Sequence, residues 1–181
     1  MNKTEKLFED VIFPHHPEFR RSLSMRRFAI RSPGMFKIEH LVEQTMAIVG
    51  GYEFIDGDHC DFTDGTDCKT ASIWPRARYE NSQSHPGEIS GLVTAGGGEK
   101  LSALRCVVYC APQNRLDYYF IPKSYWEDRV TIHPSSGVGK LKFSYHRGDD
   151  CVHSLEPFRV SSFQELATSP RRRFAHWRRA A

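Results

Sequence analysis

The stretch "HCDFTDGTDCKTASIW", residues 59–74, decides how the fold is read. Aromatic and β-branched residues alternate with polar ones on both sides of Asp64-Gly65, the pattern of two short strands joined by a tight turn. The register of that ribbon fixes what its charges can do together. With a two-residue turn (Asp64-Gly65), Phe62 stands opposite Asp67, and Asp58 falls on the face shared by Asp67 and Lys69. With a three-residue turn (Thr63-Asp64-Gly65), Asp61 stands opposite Asp67. Thr-Asp-Gly suits a type I turn closed by a left-handed glycine bulge, which favours the second register. Cross-strand partners share a face, and so do residues two apart along a strand. Asp61, Asp67 and Lys69 are therefore expected to converge.

Two carboxylates facing each other destabilise a ribbon unless a cation bridges them. Hard divalent ions such as Mg²⁺ take carboxylate oxygens, carbonyls and waters as ligands. An amine beside such a pair can orient or help deprotonate an attacking water, or offset charge developing on a phosphate.

Outward from the ribbon, the flanking elements read as a mixed α/β domain around one central sheet. Between Phe36 and Val49 the apolar residues Ile38, Leu41, Val42, Met46 and Val49 recur at helical spacing, and Gly50-Gly51 ends the helix. Glu39 and Glu43 sit one turn apart beside that stripe. Downstream, residues 75–100 read mostly as loop. "LSALRCVVYC" and "LDYYFIP" read as strands joined by "APQNR", and "KLKFSY" as a further short strand. "SFQE" starting at Ser162 is a capping box for a last helix that ends near Ala167. The organisation expected is a basic N-terminal arm over 1–34, an α/β core over 35–168 and a basic tail over 169–181.

The pattern Asp61-x5-Asp67-Cys68-Lys69 resembles that of the PD-(D/E)xK nucleases, in which an acid on one strand is followed by (Asp/Glu)-x-Lys on the next. "GTDCKT" is most similar to the corresponding strand of the methyl-directed mismatch-repair endonuclease type and related restriction enzymes. The chain departs from the pattern in having no proline before Asp61 and Asp rather than Glu at 67. The resemblance covers residues 36–74. It implies a restriction-endonuclease-like fold, a central mixed β-sheet flanked by helices. It also implies Mg²⁺, with Mn²⁺ as a substitute, bound by Asp61, Asp67 and the Cys68 carbonyl. Lys69 would serve the attacking water, and an acid from the preceding helix would assist, with Glu43 the best match and Glu39 the second.

Charge agrees with a polyanionic partner. The net charge is +3, yet the last thirteen residues, "SPRRRFAHWRRAA", hold five arginines and no acid, so the rest of the chain carries −2. "RRSLSMRRFAIR" at 20–31 is a second acid-free basic stretch, and Glu53, Asp56, Asp58, Asp61, Asp64 and Asp67 crowd the middle. In the tail, Arg171, Arg172, Arg173, Arg178 and Arg179 offer phosphate contacts, while Trp177 can stack on bases. Lys123, after a strand, is a further candidate phosphate contact.

Other classes fit less well. Counted from Asp56, Asp61 stands where a calcium loop needs glycine and Asp67 where it needs glutamate. "SSGVGKL" has Leu141 where a phosphate loop needs Ser or Thr. The five cysteines form no CxxC pair and read as buried strand thiols. No apolar run reaches the roughly 20 residues of a membrane span, and the N-terminus lacks a secretory signature, so a cytoplasmic location is expected. The reading is a Mg²⁺-dependent DNA endonuclease of restriction or mobile-element type, acting as a homodimer. The alternative is a non-catalytic nucleic-acid-binding protein whose acidic hairpin is structural.

Overall fold

The computed structural model describes residues 2–16, 38–55, 61–73, 84–92, 102–135, 137–146 and 153–169. Asn2 opens a helical segment with a reciprocal capping box to Glu5. That segment runs as α1 (Lys3–Leu7), a π-helical stretch (Phe8–Ile12) and a closing turn (Phe13–His15). Its Leu7, Phe8, Val11, Ile12 and Phe13 are buried in the main core. Residues 3–15 are thus not part of a detached arm. Pro14 sits in the last turn of this segment, where its missing N–H removes one helical donor. The basic stretch 20–31 and the tail beyond Ser169 lie outside the described residues.

The expected helix is present as α2 (Ile38–Gly50). Gly51, at φ +69°, closes it, and Tyr52 N–H donates to Ala47 C=O at 3.0 Å in a Schellman arrangement. Then follow β1 (Thr66–Ile73), β2 (Ser84–Leu92), β3 (Ala103–Cys110), β4 (Arg115–Pro122), α3 (Lys123–Trp126), β5 (Val130–Ile132), β6 (Gly139–His146), β7 (Arg159–Val160) and α4 (Phe163–Thr168). The strands form one seven-stranded mixed sheet in the order β5-β6-β2-β1-β3-β4-β7. β1 runs parallel to β3 over Thr66–Ile73, and every other pairing is antiparallel.

β2 corrects the reading of residues 75–100 as loop. Pro86, Gly87 and Gly91 lower its intrinsic strand preference, and pairing with β6 along most of its length holds it extended. β5, β7 and α3 were not anticipated either; they are two to four residues long, too short to show a period. α4 begins where expected. Glu165 N–H donates to the Ser162 hydroxyl at 3.1 Å, while the Glu165 carboxylate accepts from Ser161 rather than returning to Ser162.

Two apolar layers cover the sheet. α1, α2 and α4 pack with Cys68, Val107, Tyr109 and Phe120 on one face. Ala71, Ile73, Leu104, Cys106, Ile121 and Trp126 pack on the other. Because side chains alternate along a strand, Asp67 and Lys69 belong with Ala71 and Ile73, on the face away from α2.

Candidate metal and phosphate site

The ribbon closes in the three-residue register. Gly65 N–H donates to Phe62 C=O at 3.0 Å and Phe62 N–H to Thr66 C=O at 3.2 Å, with Gly65 at φ +77°. These are the bonds of a type I turn followed by a glycine bulge, a conformation that a side chain at position 65 would strain. The arm before the turn differs from expectation. Phe62 bridges to Phe54, and Ile55 N–H donates to Asp61 C=O at 2.8 Å, so residues 53–55 take the place of a long hairpin partner. β1 finds its own neighbours in β3 and β2. Asp58 lies outside the described residues.

The turn delivers Asp61 to the edge of β1. Asp61 Oδ2 accepts the Cys68 N–H at 2.7 Å, and the Asp61 carboxyl stands close enough to that of Asp67 to raise its pKa. Lys69 Nζ lies 2.7 Å from Asp67 Oδ2. In an extended strand the N–H and C=O of one residue leave on the same edge, so the Cys68 carbonyl shares the edge that Asp61 occupies. Asp61, Asp67, Lys69 and the Cys68 main chain are thus brought together.

Burial explains the electrostatics. Asp67 is 7% exposed, and its carboxyl is pushed up to about 8, first by burial and then by its hydrogen bond to Asp61, against the pull of Lys69. Burial alone would lower the Lys69 ammonium, yet Asp67 and Asp61 outweigh it and raise its pKa. Two crowded carboxyl groups with one ammonium form an excess of negative charge that a proton relieves in the free protein. A divalent cation would relieve it better, and Mg²⁺ commonly takes one or two carboxylates plus substrate phosphate. The donor set therefore fits a hard cation. Among the described residues no group of three His, Cys, Asp or Glu side chains is gathered to hold a metal.

The helix acids stand elsewhere. Glu43 comes from the face that carries Cys68; burial first and Glu43 second raise the Cys68 thiol, and Glu43 lies 3.5 Å from His40 Nδ1. Glu39 pairs with Lys3 at 3.6 Å, and Lys3 also donates to Thr70 Oγ1 at 3.0 Å. Cys106 is the register partner of Lys69 on β3 and walls the carboxylates on the apolar side. Lys123 opens α3 at the same end of the sheet, where its N–H donates to Ser102 C=O at 3.0 Å. Arg171, Arg172, Arg173, Trp177, Arg178 and Arg179 lie outside the described residues.

Sequence reading passed over Arg105, which is wholly buried in β3. Its guanidinium donates to Asp64 Oδ2 at 2.9 Å, to Thr66 Oγ1 at 2.9 Å, to the Tyr52 hydroxyl at 2.8 Å and to the carbonyls of Leu166 and Ala167. It also lies 4.7 Å from the Tyr52 ring centre. The signal was available: a lone charge inside "LSALRCVVYC" has to be paired if that strand is buried. Gly91, at φ +81° beside a register shift in β2, was also passed over; a side chain there would touch Lys69 Cε at 3.9 Å.

A separate cleft of about 470 Å³ lies at the opposite end of β4, beside Asp117, Glu156 and Arg159. Asp117 there is paired with Arg115 at 2.9 Å and Arg159 at 3.1 Å. No helix among the described residues is long and apolar enough to cross a membrane. No protein-family model matches the chain, and no curated protein matches it either.

Proposed function

We propose that this chain is a Mg²⁺-dependent endonuclease that hydrolyses DNA phosphodiester bonds, with a restriction-endonuclease-like architecture. One observation carries the reading: the Asp61 and Asp67 carboxyl groups meet at the edge of β1, with the Lys69 ammonium 2.7 Å from Asp67 Oδ2. Asp61, Asp67 and the Cys68 carbonyl would hold the ion. A bound Mg²⁺ would supply positive charge at the phosphate and lower the pKa of the attacking water.

The chain's own groups do the remainder. Lys69 is held protonated by its two acidic neighbours, so it acts as a donor, holding the attacking water or a non-bridging phosphate oxygen rather than abstracting a proton. Asp67 must give up its proton before a cation can bind. The water oxygen bonds to phosphorus and gives one proton to solvent, one phosphorus–oxygen ester bond breaks, and the departing oxygen takes a proton from solvent. Lys123 and the arginines of residues 171–179 would grip flanking phosphates without reading sequence. Cutting both strands with one site per chain calls for two copies, hence a homodimer, and the expected setting is the cytoplasm.

The test is plasmid cleavage by the full chain in Mg²⁺ or Mn²⁺. Cutting should fall by about 10²–10³ or more in Asp67→Ala and in Lys69→Ala. Salt-sensitive binding without cutting in either metal overturns the reading in favour of a non-catalytic nucleic-acid-binding protein.

A further inference from the structure

The carboxylate that meets Asp67 is carried by a turn, and a turn holds an atom only as well as the turn itself is held. Asp64 locks this one from both sides. Its Oδ1 accepts from Thr66 N–H at 3.0 Å and from the Thr66 hydroxyl at 2.6 Å, and its Oδ2 accepts from Arg105 at 2.9 Å. Arg105 Nε in turn donates to Thr66 Oγ1 at 2.9 Å. Arg105 is itself immobilised by the Tyr52 hydroxyl, by the carbonyls of Leu166 and Ala167, and by Ser169 C=O at 3.4 Å. Three elements therefore converge on one guanidinium: the end of α2, the end of α4 and the turn. Ser102 adds a fourth tie, its N–H donating to Gly65 C=O at 2.7 Å and its hydroxyl to the same oxygen at 2.9 Å.

We propose that Asp64 and Arg105 are the positioning pair of the carboxylate site, fixing where Asp61 stands relative to Asp67 and so setting the affinity for the divalent ion. The inference rests on the nuclease reading and deepens it. Neither residue touches the ion or the phosphate; both act through the turn. Groups that orient metal ligands in this indirect way typically change metal affinity by 10- to 100-fold when they are replaced.

The experiment measures Mn²⁺ binding directly, by electron paramagnetic resonance of the free ion, alongside thermal melting. The variants are Asp64→Asn, Thr66→Val and the double change Asp64→Asn with Arg105→Met. The double change leaves no unpaired charge, which keeps it informative if Asp64→Asn alone fails to fold. Val11→Ala, buried in the main core away from the turn, supplies a control of lowered stability. Asp64→Asn and the double variant are expected to bind Mn²⁺ roughly tenfold or more weakly, with Thr66→Val intermediate and Val11→Ala at the wild-type value. Wild-type affinity in a folded Asp64→Asn or double variant overturns the positioning role and leaves the nuclease reading standing. Absence of Mn²⁺ binding by the wild-type chain overturns both.

Discussion

Asp61 Oδ2 accepts the backbone N–H of Cys68 at 2.7 Å, so a side chain seven residues upstream caps β1 at a point short of its pairing with β2 at Ile73. The same carboxyl group meets Asp67, which makes Asp61 a structural cap and a candidate ligand at once.

That double role separates two substitutions. Asp61→Ala leaves the Cys68 N–H without its acceptor and should lower stability by about 1–2 kcal/mol in metal-free buffer, read by urea unfolding. Asp61→Asn keeps an oxygen for that N–H and should lose less than half as much, while still abolishing metal-dependent cleavage. Equal stability losses in the two variants would show that the Cys68 bond is not what Asp61 contributes.

Glu43 and Asp67 should differ sharply. Glu43 lies on the Cys68 face and is paired with His40, whereas Asp67 is bonded to Lys69 and stands beside Asp61. Glu43→Gln is expected to reduce the cleavage rate by no more than about tenfold, and Asp67→Asn by at least about 10²-fold. Single-turnover cleavage of a labelled duplex checks the ratio. A loss in Glu43→Gln matching that in Asp67→Asn would put the helix acid in direct contact with the reacting groups.

Arg105 should be among the costliest single truncations in the chain. Arg105→Ala strips the guanidinium from Asp64 Oδ2 and the side-chain donors from two α4 carbonyls inside the core. Breaking a buried, hydrogen-bonded charge in this way costs about 3–5 kcal/mol. Chemical denaturation at neutral pH should show a loss of that size, and a loss under about 1 kcal/mol would mean that the cluster is supported elsewhere.

The parts of the fold that could be read in advance are those whose cause is local. α2 follows from the 3.6-residue spacing of Ile38, Val42 and Met46 and from Gly51; α4 follows from Ser162 and Glu165; the turn follows from Thr63-Asp64-Gly65. The convergence of Asp61, Asp67 and Lys69 needed only the register that the turn chemistry dictates. What could not be read is decided at a distance. β2 is a strand because β6 and β1 hold it, and "SHPGEISGL" carries almost no β preference of its own. The second pairing of residues 61–62, with 53–55, was not legible because alternation shows that a segment is extended but not which segments it pairs with. Asp64 looked like one more acid of a crowded loop. Its role depends on Arg105, 41 residues away.

The crowding of Asp61 and Asp67 should be visible as a pH dependence of stability. Asp67 ionises near 3.9 in an unfolded chain and at about 8 in the fold, where burial and the hydrogen bond to Asp61 hold its proton. A carboxyl group with a raised folded pKa favours the native state fully below its unfolded pKa, and that contribution is lost as pH rises through the folded value. Asparagine at 67 does not titrate, and Asp61 still faces Lys69 in that variant. In metal-free buffer, Asp67→Asn should therefore melt close to the wild type near pH 4. Its advantage should grow with pH and level off above about 8, at a few kcal/mol or about 5–10 °C for a chain of this size. Millimolar Mg²⁺ at pH 8 should then raise the wild-type melting temperature and leave that of Asp67→Asn where it was, because the ion replaces the proton only where a carboxylate can form. A difference between the two proteins that stays flat from pH 4 to pH 9 would mean that Asp67 is ionised throughout and that its surroundings do not hold its proton.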